Sequence, residues 1–257
     1  MGKELSCNVA LFSMDEDNPR IKKHCNKGGL AAVFENGYLS IKKGNWKIRV
    51  MPVKDIPITF EGRALHNIQN CLPAVLATYL FRDITIEDIR SALSSFLPSS
   101  SQTPGRLNFF HFRDFTVLAD FAHNPHGLRL LCDFISKLDY KGNIGIISGT
   151  GDRRDEDIRE LGEISAKYFD EIIIRCDKNL RGRTAEEIID LLKQGIRKAN
   201  PDIPIMIIPD ENEALEYIYA HHKQGVLYTI MCDVVAGALD KLRQLKEREG
   251  KEANSDK

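Results

Sequence analysis

The chain is 257 residues long with a formal net charge of −1, enough for one large domain or two ordinary ones with ample core. The near-neutral balance excludes a global field that would recruit nucleic acid or an anionic membrane. Cys7, Cys25, Cys71, Cys132, Cys176 and Cys232 stand singly, without C-x-x-C spacing, and no apolar run approaches transmembrane length, so the chain reads as soluble and cytoplasmic.

The first sixty residues read as short strands. Residues 8–14 alternate weakly, and strands at 31–34 and 38–42 flank Glu35-Asn-Gly37, a strong hairpin signal. Residues 46–53 add another strand. A helix over 66–80 carries Ile68, Leu72, Val75, Leu76 and Tyr79 on one face, and Thr85-Ile-Glu-Asp88 opens a second helix that runs to about Leu97.

The Ser/Pro-rich segment 98–104 breaks all periodicity and is the expected domain boundary, dividing residues 1–103 from 104–247. Beyond it, residues 107–112 and 116–119 read as a hairpin. Asn124 then caps a helix with Pro125 in its first turn. Apolar strands at 144–148, 171–175, 205–208 and 227–231 each precede a helix, and Thr184-Ala-Glu-Glu187 is a capping box. That alternation predicts an α/β fold with a mostly parallel sheet covered on both faces. Residues 248–257 are charged, non-periodic and expected to be a disordered tail.

The most informative stretch is Gly149-Thr-Gly-Asp-Arg-Arg-Asp-Glu-Asp-Ile-Arg-Glu160, a glycine-hinged loop between strand and helix. Open α/β sheets hold anionic ligands in such loops; a solvated loop whose charges satisfy one another is the competing reading. There is no G-x-x-x-x-G-K-[ST] phosphate loop and no complete G-x-G-x-x-G, Arg154 standing in the last glycine's place. His123 and His126 lack a third ligand at zinc-like spacing, so no metal site is assigned.

Five motifs in order carry a resemblance: His66-Asn-Ile-Gln-Asn70, Pro104-Gly-Arg106, Asp120-Phe-Ala-His-Asn-Pro125, Gly151-Asp-Arg-Arg154 and Arg175-Cys-Asp-Lys-Asn-Leu-Arg-Gly-Arg183. The series resembles the Mur ligase superfamily of ATP-dependent acid–amino-acid ligases. It is most similar to the carboxyl-terminal ligase unit of the cyanophycin synthetases, which build an aspartate backbone bearing arginine. The resemblance implies that residues 1–103 are the second half of a central ATPase domain and that 104–247 form a Rossmann-like domain. It also implies that the phosphate loop, most Mg²⁺ ligands and any carbamoylated lysine lie outside this chain.

For single residues the resemblance implies cofactor-binding roles for His66, Asn67, Asn70, Arg106, Asp120 and His123, with Asn70 on adenine and Asp120 on the ribose hydroxyls. Helix capping is the bland alternative for His66 and Asn67, and loop support for His123. A carboxylate ending a core strand is costly without partners, which independently favours a role for Asp120. Asp152, Arg153 and Arg154 stand where the domain closes over the reaction centre, one arginine being read as an ordinary ion-pair partner. Asp177, Asn179, Arg181 and Arg183 fall in the loop that related ligases use for the incoming amino acid. A basic surface loop is the alternative for Arg183.

The function these residues imply is the carboxyl-terminal part of a ligase that activates a carboxylate with ATP and Mg²⁺ and joins it to arginine or another amino acid. Its expected partners are ATP, an amino acid, a carboxylate-bearing peptide or polymer, and a P-loop-bearing companion chain; a homo-oligomer is also allowed. Two other readings stay open, a non-catalytic nucleotide- or amino-acid-binding assembly module and the product of a decaying gene.

Overall fold

A computed structural model describes residues 7–255. They divide into two compact units, the first ending at Leu97 and the second beginning at Pro98. The break falls six residues before the expected boundary at 103/104. The Ser/Pro segment is tied into the second unit: Asn108 Nδ2 donates to Thr103 O at 3.0 Å, and Arg243 Nη2 donates to Ser100 Oγ at 3.2 Å.

In the first unit, strands β1 (Ala10–Ser13), β2 (Leu30–Glu35), β3 (Tyr38–Lys43) and β4 (Trp46–Pro52) form one sheet in that order. β1 runs parallel to β2, so the chain must cross over. It does so through α1 (Pro19–Asn26), a short helix whose charged composition hid it from sequence reading. The hairpin between β2 and β3 turns at Asn36 and Gly37, with φ of 48° and 80°, the left-handed pair of a type I′ turn. Helix α2 (Leu65–Tyr79) lays Ile68, Leu72, Val75 and Leu76 on Ala32, Leu39, Ile41 and Val50, while Ile21 and Cys25 of α1 meet Ala31 and Val33, the residues that alternate with them along β2. Helix α3 (Ile86–Ser95) opens on the expected Thr85–Asp88 capping box.

The second unit is a six-stranded sheet. Its strands β5 (Asn108–His111), β6 (Thr116–Asp120), β7 (Gly142–Ile147), β8 (Glu171–Ile174), β9 (Ile205–Ile207) and β10 (Val226–Met231) stand in the order β5-β6-β10-β7-β8-β9. Only β5 is antiparallel, paired to β6; the other pairings are parallel. The crossovers are α4 (Pro125–Ile135), α5 (Asp155–Tyr168), α6 (Ala185–Ala199) and α7 (Glu211–Ala220), followed by α8 (Val235–Ser255). The first three crossovers step one way along the sheet and α7 steps back, so the right-handed rule sends them to opposite faces. Accordingly α4, α5 and α6 pack side by side and α7 packs with α8. Ala214, Leu215, Ile218, Leu239, Leu242 and Leu245 cover the alternating residues Val117, Ala119, Ile144, Ile146, Tyr228 and Ile230.

Over residues 248–255 the expected disordered tail is corrected by α8, which continues to Ser255, while positions 256 and 257 lie outside the described residues. Arg248 Nη2 donates to Glu216 Oε2 at 2.9 Å, and its guanidinium lies 4.2 Å from the Tyr219 ring centroid. Glu249 Oε1 accepts the Arg113 amide at 2.6 Å. Charge that looked like a solvated tail is a polar seam binding the helix to the β5–β6 hairpin and α7. Among the described residues, no helix is long and apolar enough to cross a membrane.

Candidate active site

Strand β10 slots between β6 and β7, and the helices that follow these strands leave to opposite faces of the sheet, α4 and α5 to one and α8 to the other. In open α/β sheets this is where a crevice opens beyond the carboxyl ends of the strands. The loops after β6, β7, β8 and β10 meet at that end around a cavity of about 120 Å³ lined by His123, Ser148, Arg153, Arg175, Asp177 and Asp233, among others.

The loop after β7 supplies donors. Ser148 is 5% exposed, and its Oγ finds no hydrogen-bond partner among the described residues; the buried Nε of Arg153 is likewise unmatched. Buried donors in this state are costly unless a ligand completes them. Gly151 is required by the close approach of the neighbouring loop: a Cβ there would lie 1.9 Å from Leu180 O. Helix α5 opens with Asp155, Glu156 and Asp157 in its first turn. Those carboxylates already answer the helix dipole.

The loop after β8 supplies the framework. Arg175, 1% exposed, donates through Nε to Met231 O at 3.0 Å and through Nη1 to Asp177 Oδ1 at 2.8 Å, with Glu211 Oε2 at 3.4 Å. Glu211 Oε2 also accepts the Asp233 amide at 2.8 Å, and burial raises its pKa above the usual glutamate value. Asp233 Oδ2 in turn accepts the Lys178 amide at 2.8 Å.

Of the anticipated catalytic residues, Arg153 lines the cavity. Arg154 is exposed and grips Asp157 with Nε at 3.0 Å and Nη2 at 2.7 Å. Asp152 pairs with Arg181, whose guanidinium holds that carboxyl below the usual aspartate range. Arg181 also lines the cavity, and its backbone adopts φ 49°, steadied by Asn179 Oδ1 accepting its amide at 3.0 Å. Arg183 faces protein, donating to Gly151 O and Arg153 O, each at 2.9 Å, with Asp155 Oδ1 at 2.8 Å.

Asp120 ends β6 at 8% exposure. Its Oδ2 accepts the Leu107 amide at 2.9 Å, and burial pushes the carboxyl up to about 6. The exposed Arg106 guanidinium lies 5.6 Å from the Phe121 ring and opposes that rise. His123 Nδ1 is 2.9 Å from Phe121 O, which ties its ring to the turn.

The adenine-side candidates lie in the first unit. Helix α2 is capped at Ala64 without a side-chain bond, so neither His66 nor Asn67 is its cap. Asn67 Nδ2 donates to Ile58 O at 2.7 Å. Asn70 is exposed and, with Asn67, borders an apolar groove of about 330 Å³ between α2 and α3. Sequence reasoning missed Ser148, Arg175, Glu211 and Asp233 as site residues. For Arg175 the available signal was a charged residue just past an apolar strand, close to the pattern that singled out Asp120; nothing local marked Ser148, Glu211 or Asp233.

Residues 105–236 match the family model described as the glutamate ligase domain of Mur ligases. A cyanophycin synthetase from Geminocystis herdmanii is 42% identical over 95% of this chain, and one from a Nostoc species is 38% identical over 99%. The chain spans 28% of the length of each. A UDP-N-acetylmuramoyl-L-alanyl-D-glutamate–2,6-diaminopimelate ligase from Caldanaerobacter subterraneus is 30% identical over 73% of this chain and 36% of its own. In fold, a murein peptide ligase from Psychrobacter arcticus superposes with a TM-score of 0.56 at 18% identity, over 93% of this chain and 46% of that one. A Mycobacterium tuberculosis folylpolyglutamate synthase, solved with ADP and AMPPCP, gives 0.56 at 18% over 83% and 47%.

Proposed function

Because this chain belongs to the Mur ligase family, we propose that it is the ligase portion of an enzyme of the cyanophycin-synthetase kind, working with a P-loop-bearing portion to join a carboxylate to an amino acid such as arginine. The observation that carries this is the pair of unmatched donors, Ser148 Oγ and Arg153 Nε, in one cavity at the sheet's reversal point. Such donors suit a carboxylate or an acyl phosphate. All six cysteines are free, which supports a reducing cytoplasm.

In the proposed reaction ATP phosphorylates the substrate carboxylate and leaves as ADP. The amine then attacks the acyl carbon, forming the C–N bond and releasing phosphate and a proton. This chain's share is positioning. Asp120, held by the amide of Leu107, is a fixed acceptor suited to vicinal ribose hydroxyls. Arg106 stands close enough to oppose the rise in its pKa. Arg153 offers its buried, unmatched Nε to a substrate carboxylate in the cavity, with Asp152 and Arg181 fixing the loop beside it. Among the described residues no group of three or more His, Cys, Asp or Glu side chains could hold a metal ion. They do not fit Mg²⁺ by themselves.

The test is reconstitution. Mixing this chain with the upstream portion of such a synthetase, ATP, arginine and an aspartate polymer should give arginine-dependent ADP release. At subsaturating arginine, release should fall by about a hundredfold in Arg153→Ala, as for loss of a charge-assisted bond to the carboxylate. No product from a folded mixture would remove the ligase reading and leave a binding module.

A further inference from the structure

One guanidinium and three carboxylates meet beside the cavity. Arg175 is matched by Asp177 at 2.8 Å and Glu211 at 3.4 Å. Asp233, half-buried and lining the cavity, has no ion-pair partner among the described residues. Its Oδ2 and its amide are committed to Lys178 N and Glu211 Oε2, at 2.8 Å each, so its backbone and side chain are both fixed. The loop after β7 presents the opposite need, with the unmatched Arg153 Nε and the 5% exposed Ser148 Oγ. The cavity therefore has surplus donors on one loop and a surplus carboxylate on another. A dipolar ligand completes both.

We infer that Asp233 is the specificity-determining residue of this cavity, selecting an amino acid with a cationic side chain whose carboxylate lies on Ser148 and Arg153. This rests on the reading of the cavity as the incoming amino acid's site. In that reading the α-amine is the nucleophile and must give up its proton, so an ion pair to it would oppose the reaction. The side-chain cation is the group left for Asp233. Glu211 and Arg175 are positioning residues: Arg175 holds the Met231 carbonyl of β10, and Glu211 holds the Asp233 amide.

The experiment is calorimetric titration of the full chain with three probes: arginine; citrulline, a neutral near-isostere; and agmatine, which lacks the carboxylate. A parallel ADP titration serves as control. Wild type is expected to bind arginine about tenfold or more tighter than either analogue. Asp233→Asn, which keeps an acceptor for the Lys178 amide, should reduce arginine binding to the citrulline level without changing citrulline. Arg153→Ala should erase the gap between arginine and agmatine instead. An unchanged arginine-to-citrulline ratio in Asp233→Asn overturns the inference. So does wild type that binds none of the three; if ADP still binds, the ligase reading survives that result, and if ADP binding is also absent, both fall.

Discussion

Arg183 donates to the backbone carbonyl of Arg153 at 2.9 Å, so the loop after β8 sets the conformation of the loop after β7. A second bond, to Gly151 O at 2.9 Å, makes the guanidinium a two-point staple. Lysine offers a point charge and cannot span both carbonyls. Arg183→Lys should weaken arginine binding about tenfold while changing stability by less than about 1 kcal/mol, since the residue is partly exposed. Titration and urea denaturation of the same variant separate the two effects.

Asp120 should make the protein less stable at neutral pH than in mild acid. Burial raises its folded-state pKa to about 6 from 3.8, so the folded protein binds the proton more tightly than the unfolded chain. Its contribution is fully present below about 4 and is lost as pH rises through 6, a change of roughly 3 kcal/mol. Asp120→Asn should flatten the stability profile across that window, raise stability at pH 7 and abolish nucleotide binding. Urea midpoints at pH 4.5 and 7.0 check the sign; equal slopes in wild type and variant would refute it.

The buried cluster at Arg175 should be fragile to removal of one partner. Arg175→Met leaves Asp177 and Glu211 beside the cavity without their cation and frees the Met231 carbonyl. The expected loss is about 3–5 kcal/mol, read by denaturant unfolding. A variant that melts like wild type would mean water reaches these carboxylates freely.

Deleting residues 247–257 should cost about 1–2 kcal/mol, the sum of the Arg248–Tyr219 contact, the Arg248–Glu216 pair and the Glu249 bond to the Arg113 amide. Arginine and ADP affinities should not move, because these contacts lie away from the cavity lining. A truly loose tail would give no change in melting temperature.

The fold was largely legible because its signals are local. The turn at Asn36-Gly37, the capping boxes at Thr85 and Thr184 and the Asn124 cap all appear in the structure where chemistry placed them. Helix α1 escaped because eight residues with two buried apolar side chains give little periodicity. The last helix was misread because its stabilising partners, Glu216, Tyr219 and Arg113, lie far away in sequence. The cavity divides the same way. Arg153 and Arg181 sit in a dense motif, whereas Asp233 and Glu211 join it only through the strand order, which no window of sequence contains.

The position of β10 also bears on how the protein is made. Thr116 of β6 pairs with Leu227 of β10, and β10 holds β7 on its other side. A ribosome adding about 5–20 residues per second needs on the order of 5–20 s to travel from one partner to the other. Throughout that interval β6 and β7 have apolar flanks and a gap between them that only the last strand fills. The nascent chain is then open to chaperones or to wrong pairings, and codon choice between β6 and β10 becomes a lever on yield that no substitution in the finished protein would reveal.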